Sequence, residues 1–61
     1  MSVFQWWGYL HTEGHIQVKR YFGPEDIEEA KESPFAVAVA GPIMAATREE
    51  AIEKIKEILE Q

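Results

Sequence analysis

Sixty-one residues with a net charge of −5 define one small acidic domain, residues 1–61. A chain this short buries only about 60% of its unfolded surface, so it gains from a staple or a partner. The absence of cysteine excludes disulfides, thiolate zinc centres and a cysteine nucleophile. No apolar run is long enough to cross a bilayer, and the first residues lack the basic-then-apolar pattern of a signal peptide. The expected location is therefore cytoplasmic.

The chain opens on two strand-like runs, Phe4–His11 and His15–Phe22, which hold six of the seven aromatic residues and both histidines. Between them, Thr12-Glu13-Gly14 reads as a three-residue hairpin loop, a type I turn closed by glycine in the left-handed region. That loop sets His11 against His15, Leu10 against Ile16, Tyr9 against Gln17, Gly8 against Val18 and Trp6 against Arg20. One face then carries Phe4, Trp6, Gly8, Leu10, Ile16, Val18 and Phe22, with Arg20 the misfit. The other carries Gln5, Trp7, Tyr9, His11, His15, Gln17, Lys19 and Tyr21. A two-residue loop would shift the pairing by one and mix apolar with charged groups on both faces.

Gly23-Pro24-Glu25-Asp26 starts a short acidic helix, with proline in the first turn and acids at the positive end of the dipole. Pro34 stops it after Ser33, and Ile27 and Ala30 turn inward. Phe35–Ala40 forms a third strand, with Phe35, Val37 and Val39 on one side and alanines on the other. Gly41-Pro42 bends or ends it, and Ile43-Met44 resumes an extended path. Thr47-Arg48-Glu49-Glu50 is a capping box that opens a helix running to the C-terminus. Its apolar stripe is Ala51, Ile52, Ile55, Ile58 and Leu59, and Glu50 and Lys54 form an i,i+4 pair.

The expected fold is α+β, ββαβα: a three-stranded sheet of order 2-1-3, antiparallel by preference. Both helices are expected on one face, that of Phe4, Trp6, Leu10 and Val18. The core then consists of Phe4, Trp6, Leu10, Ile16, Val18, Phe22, Ile27, Val37, Val39, Ile52, Ile55, Ile58 and Leu59. The second face is left open, and its Trp7, Tyr9, Gln17, Lys19 and Tyr21 form the candidate binding surface. Ala36, Ala38 and Ala40 join it if the third strand lies alongside.

Aromatic rings with small neighbours suit a protein interface, and a marginal core favours a homodimer through that open face or an exposed sheet edge. The competing reading is single-stranded nucleic acid, with bases stacked on the rings and Lys19 on phosphate. Charge weighs against it, because residues 23–61 hold ten acidic side chains and four basic ones. Glu25, Asp26, Glu28, Glu29 and Glu32 form a dense acidic helix face, a secondary surface for a basic partner and more simply a solvated one.

His11 and His15, with Glu13 between them, offer two imidazoles and a carboxylate. A structural zinc site takes four ligands and a catalytic one three in fixed geometry, so no metal is assigned, and a pH-sensitive contact stays equally open. The glycines are isolated and form no phosphate loop. Neither Ser2 nor Ser33 stands in a triad-like setting. The chain is read as non-enzymatic and without a cofactor.

The string Trp7-Gly8-Tyr9-Leu10-His11, then Gly14 and Ile16–Phe22, followed by Asp26-Ile27, Glu29-Ala30 and Glu32-Ser33-Pro34-Phe35, resembles a set of short reading frames in bacteriophage and prophage genomes. Gly41-Pro42 and Arg48-Glu49-Glu50-Ala51 fit as well, so the likeness spans most of the chain. The resemblance brings no activity and no site residues. It implies a virus-encoded accessory protein that acts on a host or viral protein in the host cytoplasm.

Overall fold

Strand β1 (Phe4–His11) and strand β2 (Ile16–Arg20) form the hairpin in the register that the three-residue loop dictates. Trp6 pairs with Arg20, Gly8 with Val18, Tyr9 with Gln17 and Leu10 with Ile16. Gly14 closes the turn at φ 95°, where a side chain would be strained. The His11 amide donates to the His15 carbonyl at 2.8 Å, and the Gly14 amide to the His11 carbonyl at 2.9 Å. This computed structural model describes residues 2–60.

Helix α1 (Pro24–Glu32) follows, with Glu25 and Asp26 in its first turn and Ser33 as its C-cap. Strand β3 (Ala36–Ala45) pairs antiparallel with β1 along nearly its whole length, giving the order β2-β1-β3. Gly41 and the cis-linked Pro42 do not end the strand; they form a bulge inside it, where the register slips between Trp6 and Gly8. Helix α2 (Arg48–Leu59) completes ββαβα. The expected continuation of that helix to Gln61 falls partly outside the described residues.

Thr47 Oγ1 accepts from the Glu50 amide at 3.2 Å, as a capping box requires. The returning carboxylate reaches the Ala46 amide at 3.4 Å, one residue earlier than the usual partner. Glu50 also meets Lys54 at 3.2 Å, one turn on.

The two helices do not share a face. Ala51 and Ile55 of α2 pack with Trp6, Val18, Ala40 and Ala45, whereas Ile27 and Ala30 of α1 pack with Trp7, Tyr9, Tyr21 and Val39. The expectation of two helices on one face is corrected to three layers, helix, sheet and helix. Width is the physical reason. Three strands about 4.8 Å apart offer a face that one helix, about 10 Å across with its side chains, already fills. The second helix must take the other face, and Trp7 gives it an apolar floor.

This division also corrects the expected core. Trp6, Val18, Ile27 and Ile55 are buried, and Leu10, Ile16, Val39 and Leu59 are half-buried. Phe4, Phe22, Val37, Ile52 and Ile58 are exposed instead. Each helix covers one strip of a small sheet, so side chains at the rim stay in water. Ala38 and Ala40 stand opposite Leu10 and Gly8 on the α2 side, not beside Trp7.

Candidate functional site

Trp7 is 3% exposed beneath Ile27 and Ala30, so it cannot anchor an open binding face. Its indole N–H is buried and has no hydrogen-bond partner among the described residues, whereas that of Trp6 donates to the Ala45 carbonyl at 3.0 Å. Tyr9 and Tyr21 are half-buried against the same cluster, and the Tyr9 ring stacks on Trp7 at 5.9 Å. The flat, solvent-facing aromatic surface expected from sequence is therefore a second, smaller core.

Part of that surface survives as a cleft. Helix α1 leans chiefly on β3, which leaves the strip over β2 uncovered. The resulting cleft of ≈ 580 Å³ has Trp7 and Tyr9 among its lining, together with Lys19 and Arg20 from β2 and Asp26 and Glu29 from α1. The structure thus brings together Trp7, Tyr9 and Lys19 with two of the acidic residues assigned to a separate surface. Gln17 and Tyr21 are not in its lining. Glu25, Glu28 and Glu32 stand exposed elsewhere on α1.

Two basic and two acidic residues in the lining balance in formal charge, so the cleft offers no steep field to a polyanion. Asp26 and Glu29 are both exposed, without the enclosure that sets a carboxyl for proton transfer. Ser33, also in the lining, spends its hydroxyl accepting from the Phe35 amide at 3.2 Å.

Arg20, the misfit of the hairpin register, has a partner after all. Its guanidinium lies 4.0 Å from the centre of the Phe4 ring, 5.5 Å from that of Trp6 and 5.6 Å from that of Phe22. A cation over aromatic faces gains from the ring quadrupole, which explains why arginine is tolerated in an apolar row.

The exposed sheet edge that the sequence reading left unplaced is the outer edge of β3. As the last strand of the order β2-β1-β3 it has one side unpaired among the described residues. No charged residue occurs between Glu32 and Arg48, and Phe35, Val37 and Met44 are 59%, 62% and 48% exposed. The opposite edge, β2, has five residues and carries Lys19 and Arg20. Short, charged edges resist pairing with other chains, and long uncharged ones invite it.

Comparison with known proteins finds no matching family model, no matching curated protein and no matching solved structure.

Proposed function

We propose that this is a non-enzymatic binding protein that works as a homodimer, with the β3 edges of two copies paired into one six-stranded sheet. The observation that carries the proposal is the uncharged, unpaired β3 edge in a chain otherwise dense with acid. A second copy is the occupant that the edge fits best. The alternating Ala36-Val37-Ala38-Val39-Ala40 run is self-complementary about a two-fold axis, and it offers no charge for a basic or acidic peptide to read. The bulge at Gly41-Pro42 limits the pairing to the first half of the strand, because bulges and proline blunt an edge.

The single-stranded nucleic-acid reading loses its stacking platform with Trp7 under α1. The likeness to phage reading frames fits the proposal as a setting: a small accessory protein acting on a host or viral protein. Among the described residues no helix is long and apolar enough to cross a membrane.

Sedimentation equilibrium from micromolar to millimolar protein tests the dimer. The expected result is a mass near twice 7.0 kDa at the upper end. Val37→Lys, at an exposed position, should weaken association about tenfold or more by placing like charges across the two-fold axis. Glu28→Gln on α1, away from the edge and lowering each chain's negative charge, should not weaken association. A 7.0 kDa species at every concentration, or a dimer indifferent to Val37→Lys, would overturn the reading.

A further inference from the structure

We infer that the hairpin tip is a binding site for a divalent transition-metal ion of the zinc type, held by His11, Glu13 and His15. One potential ligand atom from each of these residues lies within 4.8 Å of the others. The hairpin register creates this cluster. His11 and His15 flank the turn and are joined by a backbone bond of 2.8 Å. Their rings lie 4.5 Å apart, tilted by 13°, and Glu13 sits in the loop between them. Imidazole nitrogens and a carboxylate form a donor set for zinc and its neighbours in the first transition row, and a poor one for magnesium or calcium, which take oxygen ligands.

The geometry needs a small adjustment. Around a tetrahedral ion with bonds of about 2.1 Å, ligand atoms sit about 3.4 Å apart, so the three groups must close by no more than about 1.4 Å. Glu13 and His15 are exposed and can turn about their side-chain torsions, at the cost of the His11–His15 stack. Among the described residues the Glu13 carboxylate forms no ion pair that would hold it back. The remaining coordination position falls to water.

His11 supplies a reporter. Its Nδ1 accepts from the Glu13 amide at 3.1 Å, so the neutral ring carries its hydrogen on Nε2. An ion on Nδ1 displaces that amide directly. An ion on Nε2 forces the hydrogen onto Nδ1, which then can no longer accept. Either way the Glu13 N–H bond to the ring is broken when the metal binds.

Titration of the whole protein with zinc chloride, followed by amide and histidine-ring NMR with magnesium chloride as control, tests the site. The expected result is saturation at one ion per chain, with shifts centred on the two imidazoles and the Glu13 amide and no comparable response to magnesium. His11→Ala and His15→Ala should each weaken zinc binding about tenfold or more, and Glu13→Gln should weaken it less. Both histidines stand at the turn, and an unchanged amide spectrum elsewhere verifies that each variant is folded. No response of the histidine rings at millimolar zinc would overturn the site. So would binding untouched by both histidine variants, or shifts centred on the acidic residues of α1.

Discussion

Gly8 lies directly beneath Ile55. A Cβ at position 8 would come 3.0 Å from Ile55 Cγ2 and 2.5 Å from the backbone carbonyl of Gln17 on the neighbouring strand. Ile55 is fully buried and is the central contact of α2 with the sheet. The missing side chain is therefore what lets the helix approach. Gly8→Ala must push both the helix and β2 aside, and the carbonyl cannot rotate away as a side chain would. Overpacking of this kind costs about 1–3 kcal/mol, a large share of the stability available to so short a chain. Urea denaturation should show the loss as a lower midpoint with a similar slope.

The position of α1 has a spectroscopic signature. In a Trp6→Phe variant, Trp7 becomes the sole indole, buried beneath Ile27 and Ala30. Its emission should be blue-shifted and weakly quenched by acrylamide, and unfolding in urea should reverse both. Red-shifted, freely quenched emission from a folded variant would mean that α1 does not dock on the Trp7 face.

Arg20 should matter through its rings and not through ion pairing. Phe4 and Phe22, two of its three aromatic partners, are themselves 39% and 81% exposed, so a cation–π contribution of about 0.5–1 kcal/mol is expected. Arg20→Gln should lower stability by that amount, measured by urea denaturation. In a Phe4→Leu background the same substitution should cost less, which a double-mutant cycle reads directly.

Most of the fold could be read along the chain. The loop glycine, the period-2 alternation and the Thr47 cap act locally, so the hairpin register and the start of α2 follow from neighbouring residues, whereas the strand order rests on the general preference for antiparallel pairs. The face chosen by α1 follows from neither. Both sheet faces carry large apolar groups, Trp6 with Val18 on one and Trp7 with Tyr9 and Tyr21 on the other. Periodicity separates those sets without saying which is solvated. The available clue was width, since one face of three strands holds one helix. The same error displaced the candidate site, because the aromatics treated as a binding surface became the floor under α1. The hairpin histidines were placed correctly, but the approach of the Glu13 carboxylate depends on turn geometry that sequence spacing leaves open.

Cap strength gives a further check. Thr47 Oγ1 is the acceptor for the Glu50 amide, and α2 supplies Ala51 and Ile55 to the larger core cluster. Thr47→Ala should cost about 0.5–2 kcal/mol, read as a lower thermal midpoint. Thr47→Ser should recover most of the loss by restoring the hydroxyl.

The dimer proposal makes a claim about salt that separates it from nucleic-acid binding. Each chain carries −5, so two copies repel at long range while their contact edge, free of charge from Ser33 to Thr47, gains nothing from Coulomb attraction. Screening acts within about 10 Å at 0.1 M salt and more tightly above it, and it removes the repulsion without touching the paired backbone groups. Raising sodium chloride from low to near-molar concentration should therefore tighten self-association. Binding to single-stranded DNA or RNA runs the other way, because neutralising phosphates releases counterions and weakens with added salt. Sedimentation of the protein alone across a salt series should show the dimer fraction rising. A fraction that falls would mean that charge pairs hold the copies together, and the contact would then have to be sought between the acidic face of α1 and the Lys19–Arg20 end of β2.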